Sequence, residues 1–256
     1  MGFVKTDREL AAYYEIPGRH FPGAQMLGAI FQTTPETVAR LLPPPLEPAD
    51  MPNGLVFIAE YPETNLGPGY REAALFLSCQ YAGETGNYCL SMPIDSEEAR
   101  IYNGRDIFGF PKKKASITLE RHGDRVRGSV ERHGARFFEL ETTLASSMPS
   151  LPPMGANFLF KASPRIDLQP GFDGPVLLCR HQTDIEMKSL EVGGAEVRFH
   201  PAPFDPWAEI EVANVLLGFY LVSNNTMRPG SVLTEVDGDA FLPYYFKMTD
   251  FFGDAA

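Results

Sequence analysis

No apolar run in this sequence approaches the roughly 18 residues that a membrane-spanning helix requires. The opening stretch, MGFVKTDRELAAYYEIPG, has no apolar segment of the secretory-signal kind, so a cytoplasmic location is expected. Positive charge is scarce: 22 Lys and Arg stand against 33 Asp and Glu, a formal net charge of −11. A phosphate backbone or an anionic membrane surface would be repelled, which excludes nucleic acid and membrane as expected partners. Cysteine is limited to Cys79, Cys89 and Cys179, an odd number without a C-x-x-C pair. That argues against a disulfide framework and a structural zinc site and leaves buried free thiols. His20, His122, His133, His181 and His200 are dispersed, none at ligand spacing to another His, Cys or carboxylate. There is no G-x-S-x-G, no P-loop and no G-x-G-x-x-G. No metal, nucleotide or flavin cofactor is expected. Asn224 opens an N-N-T triplet, which without a secretory route reads as a turn.

What the chain does have is a globular composition, 44% hydrophobic and 21% charged, and a length suited to one domain, 1–256. Gly and Pro, 23 of each, punctuate short β-like segments along the whole length. Strands are predicted at 54–62, 72–83 and 86–94. The stretch 115–144 carries two His-Gly steps between alternating residues, the pattern of an antiparallel meander with tight turns, and 174–200 continues in that style. Residues 146–157, rich in Pro and Ser, read as a connection across the fold. Helices are predicted after Thr34, an N-cap followed by Pro35, and over 205–222, where Asp205 precedes Pro206. The fold class is mainly β (α+β), with strands closed into a barrel so that edges are removed.

Against this background one stretch stands out, GRDIFGFPKKKASITL at 104–119. Three of the chain's seven lysines, Lys112, Lys113 and Lys114, follow one another among Phe108, Phe110, Pro111, Ile117 and Leu119. A solvated basic patch is the plain reading of a lysine triplet, but apolar surroundings are an unusual place for ammonium groups. A lysine is a nucleophile only when neutral. Lowering its pKa from about 10.4 to about 6–7 requires roughly 5–6 kcal/mol against the charged form. Burial supplies around 3–5 units, whereas a second ammonium ~10 Å away adds about 1.7 kcal/mol at an effective dielectric of ~20. Desolvation must therefore be the larger cause. A neutral amine in such a pocket attacks a ketone to form an iminium, an electron sink for breaking or forming a C–C bond. In an extended strand Lys112 and Lys113 point to opposite faces. Ala115, Ile117 and Leu119 share the face of Lys113, so simple alternation would bury Lys113 unless a bulge follows Pro111 or both faces are covered.

The run GRDIFGFPKK (104–113) resembles the signature of the acetoacetate decarboxylase family, G-R-E-hydrophobic-x-x-aromatic-P-K-K. LLPPPLEP (41–48), NFLFKASPRID (157–167) and FDPWAEIEV (204–212) resemble further segments of that family in the same order, so the likeness spans about residues 20 to 250. It implies a cone-like antiparallel β-barrel with a few flanking helices, a buried cavity and a homo-oligomer. By the same resemblance Lys112 matches the Schiff-base lysine, Lys113 the neighbour that perturbs it, and Glu72, in GYRE, an active-site carboxylate. Acetoacetate decarboxylase is itself the standard instance of a lysine activated in this way.

Two departures from the family pattern shape the functional expectation. The stretch after the first Phe-Pro, FPGAQMLGAIF (21–31), lacks the family's substrate-holding arginine, with none between Arg19 and Arg40. A second glutamate is due on the strand GLVFIAEYP, where the nearest, Glu60, is out of register, and a one-residue slip turns a side chain to the other face. Both losses fall on parts that hold and polarise a β-keto acid. The favoured expectation is a Schiff-base-forming lyase joining pyruvate to an aldehyde by aldol condensation and dehydration. The alternatives are decarboxylation of acetoacetate or another β-keto acid, and a non-catalytic barrel that binds a small molecule. With the arginine missing, LPYYFKMTDFF (242–252) offers Tyr244 and Tyr245 as substrate-orienting phenols, and in an extended segment only one of them, Tyr245 by preference, would face the cavity.

Overall fold

A computed structural model describes residues 2–16, 18–96, 101–150, 152 and 154–250. Fourteen strands join one sheet: β1 (Arg19–Gln32), β2 (Glu47–Pro48), β3 (Asn53–Thr64), β4 (Gly67–Tyr81), β5 (Glu84–Ile94), β6 (Lys112–Lys114), β7 (Ser116–His122), β8 (Arg125–Arg132), β9 (Ala135–Ser147), β10 (Ala156–Lys161), β11 (Val176–His181), β12 (Thr183–Phe199), β13 (Asn214–Met227) and β14 (Ser231–Val236). The hydrogen-bonded order is β14-β11-β10-β5-β4-β3-β1-β13-β12-β9-β8-β7, with β2 beside β4 and β6 beside β5. Among the described residues helices are few and include α1 (Asp7–Tyr14), α2 (Pro35–Leu41) and α3 (Gly238–Tyr245). None of the described helices is long and apolar enough to cross a membrane.

Local chemistry explains most of these elements. Thr34 caps α2 by accepting from the Thr37 N–H at 3.2 Å, and Pro35 occupies the first turn. The β8–β9 hairpin turns at His133 and Gly134, both with positive φ (49° and 77°), the left-handed pair a type I′ connection needs. The central strands β1, β3 and β4 bury both faces. Leu55, Phe57, Ala59 and Tyr61 of β3 pack on one side, and Val56 and Ile58 on the other. A strand covered on both faces reads as a continuous apolar run, which is what GLVFIA is. The three thiols are free and buried.

Four expectations change. The sheet is strongly curled but not closed, because β14 and β7 remain as its two ends. It is also mixed, since β10 and β6 both run parallel to β5. The helix expected over 205–222 is a single 3-10 turn, Trp207–Glu209, followed by β13. Strand β13 pairs with β1 on one side and β12 on the other, and that double ladder overrides the helical start signal at Pro206. Asn224 lies inside β13, not in a turn, and its amide donates to Glu186 Oε2 at 3.0 Å.

Candidate active site

The lysine-bearing segment is shaped by its two glycines. Residues Asn103–Phe108 form one π-helical turn that ends at Gly109, whose φ of 90° only glycine adopts without strain. The Gly109 N–H donates to the Arg105 carbonyl and the Phe110 N–H to the Gly104 carbonyl, which folds the Phe-Gly-Phe-Pro stretch back on the turn. Lys112 then enters β6 opposite Met92 of β5. Its side chain runs back over Gly104, where a Cβ would lie 2.0 Å from Lys112 Cε. Gly104 is thus the floor over which the lysine reaches its cavity.

That cavity, about 130 Å3, lies against the core cluster formed by β1, β3, β4, β5 and β13. Lys112 and Glu72, each only 6% exposed, meet in it: Lys112 Nζ donates to Glu72 Oε2 at 2.6 Å. The other oxygen, Glu72 Oε1, accepts from the Tyr61 phenol at 3.0 Å. Burial first, and then the Glu72 carboxylate, hold the Tyr61 phenol well above the usual tyrosine range, so it stays a donor. The Tyr70 ring lies 5.7 Å from Lys112 Nζ. Among the described lining residues Glu72 is the single carboxylate, and Lys112 and Arg19 are the two cations.

The register accounts for these partners. Glu72 on β4 pairs with Ala59 on β3. Phe57, Ala59 and Tyr61 therefore share the cavity face, while Glu60 points away and pairs with Arg71 at 3.2 Å. Tyr61 is thus the polar residue that β3 contributes, a role the sequence reading had sought in a glutamate. Arg19 was also missed. It stands at the first residue of β1, in the cavity wall, with its guanidinium bonded to the Tyr13 phenol of α1 at 3.0 Å.

Of the residues expected from sequence, Lys112 and Glu72 are brought together, and three others are not. Lys113 faces the far side of β6, where its ammonium reaches the Phe204 carbonyl (2.9 Å), Asp250 (3.2 Å) and Asp205 (3.7 Å). Two carboxylates neutralise it there, so it is not a bare cation perturbing Lys112. The alternation conflict disappears because both faces of the segment are covered: Lys112 borders its cavity on one side, and Lys113 borders a second hollow on the other, beside Leu75 and Trp207. Tyr244 and Tyr245 sit on helix α3 instead of an extended segment, and neither lines the cavity of Lys112. Tyr245 packs edge-on against Phe172 at 5.3 Å, and Tyr244 borders a different hollow.

Residues 5–236 match the sequence model of the family described as acetoacetate decarboxylase (ADC). A curated relative named acetoacetate decarboxylase, from Burkholderia vietnamiensis, is 29% identical over 216 residues, covering 80% of this chain and 84% of its own. Among solved structures, the enduracididine biosynthesis enzyme MppR, complexed with the condensation product of pyruvate and imidazole 4-carboxaldehyde, superposes with a TM-score of 0.75 at 20% identity. That match covers 85% of this chain and 90% of MppR. An acetoacetate decarboxylase-like enzyme from Sphingomonas wittichii gives a TM-score of 0.75 at 22% identity, covering 86% and 94% of the two chains. Both likenesses are of fold.

Proposed function

Because the chain belongs to the acetoacetate decarboxylase family, we propose that it is a lyase whose Lys112 forms a Schiff base with a small keto acid. The reading favoured within that chemistry is aldol condensation of pyruvate with an aldehyde, followed by dehydration. It is carried by one observation, the 2.6 Å contact between Lys112 Nζ and Glu72 Oε2, two side chains buried at the wall of one cavity. Transfer of one proton along that contact leaves a free amine facing the cavity and a carboxylic acid beside it. The amine adds to the keto carbon of pyruvate, and loss of water gives the iminium. Glu72, again a carboxylate, removes a proton from the adjoining methyl carbon to give an enamine, which attacks the aldehyde carbon. The new alkoxide takes a proton from Glu72, held in place by the Tyr61 phenol, and becomes a hydroxyl. Glu72 then removes a second proton from the former methyl carbon and returns it to the hydroxyl, which leaves as water. Hydrolysis of the unsaturated iminium frees the product and restores Lys112. Proton transfer by a group so placed contributes about 10²–10⁴ in rate. The MppR complex, whose ligand joins pyruvate to an aldehyde, supports this choice for the fold.

Arg19 favours a second reading. A guanidinium in the cavity wall is a partner for a substrate carboxylate, and the curated relative carries the name acetoacetate decarboxylase. In that reaction the iminium takes the electrons of the C–C bond as carbon dioxide leaves, and Glu72 protonates the resulting enamine. Two measurements test these readings, the first their shared lysine and the second the choice between them. Pyruvate with borohydride should add one stable adduct to Lys112 and none in Lys112→Ala, while an adduct mapped to Lys113 would overturn the assignment. Condensation of pyruvate with an aldehyde, with negligible carbon dioxide from acetoacetate, supports the first reading, and rapid decarboxylation establishes the second.

A further inference from the structure

A second lysine lies enclosed on the opposite side of β5. Lys247 belongs to the 3-10 turn Phe246–Met248 that follows α3. Its Nζ is bonded to the Tyr88 hydroxyl and donates to the Cys89 carbonyl at 3.2 Å. It borders a cavity of about 270 Å3 that shares no lining residue with the cavity of Lys112. Tyr88 and Leu90 of β5 face this cavity, whereas Cys89 and Met92 pack in the cluster around the first. Lys247 is half-buried, with its amine held at the Tyr88 hydroxyl and the Cys89 carbonyl.

The electrostatic surroundings decide what this amine is. Among the described residues no carboxylate forms an ion pair with Lys247. Asp205 and Glu209, the carboxylates bordering the cavity, are committed elsewhere: Asp205 to Lys113 and Arg132, Glu209 to Arg40 at 2.8 Å. The other titratable groups facing it are the phenols of Tyr88 and Tyr244 and the Lys113 ammonium, and the Cys89 thiol acts on the amine from the other face of β5. The Tyr88 ring centroid is 4.0 Å from Nζ, a contact that favours the ammonium by about 0.5–2 kcal/mol. Burial outweighs it and brings the amine down to about 7. At neutral pH such an amine is roughly half free base, against well under ~0.1% for an ordinary lysine at pKa ~10.4. Burial and the neighbouring thiols also hold the Tyr88 phenol well above its usual range, so it remains a hydrogen-bond donor beside the amine.

We propose that Lys247 is a second carbonyl-reactive amine, seated in its own cavity and suited to a small uncharged aldehyde. The amine nitrogen bonds to the aldehyde carbon, the carbonyl oxygen leaves as water, and an imine remains. Apolar walls such as Leu90 and Ile210 accept an alkyl chain. Apart from Lys247 the one described cation bordering it, Lys113, is already paired with Asp205 and Asp250, so no free cation awaits a carboxylate, which separates this site from the keto-acid cavity of Lys112.

Butyraldehyde with cyanoborohydride tests this directly. Hydride delivered to the imine carbon leaves a stable N-butyl lysine that peptide mapping by mass spectrometry locates. In both the wild-type protein and Lys112→Ala, Lys247 should be alkylated at pH 7 at least 100-fold faster than the exposed Lys188. Its rate should rise through about pH 7 and then level off, while that of Lys188 keeps climbing. This profile needs no substitution at 247, so it holds even if Lys247→Met does not fold. Labelling of Lys247 no faster than Lys188 at pH 7 would overturn the proposal. Equal labelling of Lys247 by pyruvate would overturn the preference for an uncharged ligand.

Discussion

Gly104→Ala tests whether the π-turn exists to place the amine proposed to form the Schiff base. The added Cβ would stand 2.0 Å from Lys112 Cε and 2.4 Å from Cδ. Restoring an ordinary 3.4 Å contact moves the end of the lysine by about 1.4 Å. The backbone raises no separate objection, because Gly104 is not among the glycines with positive φ. In a helical turn alanine is worth roughly 0.5–1 kcal/mol over glycine, while overpacking costs about 1–3 kcal/mol. The net loss of stability is then about 0–2.5 kcal/mol, or a few degrees in Tm for a chain of this size. The chemistry should suffer far more. A displacement of about 1 Å from productive geometry costs about 100-fold in rate, and this shift breaks the 2.6 Å contact with Glu72. The variant should therefore fold, by circular dichroism and urea titration, and trap pyruvate with borohydride about 100-fold more slowly than wild type. A folded Gly104→Ala protein with the wild-type trapping rate would show that Lys112 does not react from the position described here.

Glu72→Gln should lower turnover by about 100-fold or more if Glu72 moves the proton. Tyr61→Phe should lower it less, because the carboxylate stays in place, and the two losses measured in the double variant should fall short of additive. Arg19→Gln should raise KM for a keto acid while leaving its uncharged methyl ester unaffected. Tyr244→Phe and Tyr245→Phe should leave pyruvate trapping unchanged, and a large loss in either would contradict their placement on α3. His181, 2% exposed and flanked by the Phe108 and Phe110 rings, is pushed by burial down to about 4. The folded chain thus binds its proton later than the unfolded chain, whose histidine titrates near 6.5. Stability is fully present above about pH 6.5 and falls through that window toward pH 4, by on the order of 3 kcal/mol. Urea midpoints should show this loss in wild type and a flatter profile in His181→Phe.

What could be read from the sequence followed the range of the physics involved. The hairpins with His-Gly steps were legible because turn chemistry is local. The cap at Thr34 was legible for the same reason. The stretch 205–222 was misread because a strand paired on both sides and buried on both faces has no period of its own. Its local start signal, Asp-Pro, made only one 3-10 turn. The C-terminal tyrosines failed through the same ambiguity in reverse: a segment read as extended is helical, which changes where each ring points. Arg19 and Tyr61 carry no sequence signal for the site. Arg19 reaches it through the register of β1 against β13, and Tyr61 through that of β3 against β4.

The three adjacent lysines divide their work by direction. Lys114 is exposed, Lys112 enters the cavity, and Lys113 enters the charged cluster behind the strand. That cluster joins Lys113 and Arg132 to Asp205 and Asp250, with Arg132 Nε 3.3 Å from Asp205 and His133 Nε2 2.9 Å from Asp250. Burial alone would raise the Asp250 carboxyl, but hydrogen bonds from Arg132, His133 and Lys113 hold it far below the usual range. β6 is only three residues long and follows a proline, so its own ladder gives it little hold on the sheet. The ion pairs of Lys113 supply that hold from behind, and a strand fixed in this way cannot slip by one residue. A slip would exchange the faces of Lys112 and Lys113, turning Lys112 away from Glu72 and leaving Asp205, 4% exposed, short of a partner. Lys113→Met should therefore lower the urea midpoint and slow trapping at Lys112 through lost positioning, with the adduct still mapping to Lys112. Loss of stability without any change in the trapping rate would show that the cluster holds the fold but not the lysine.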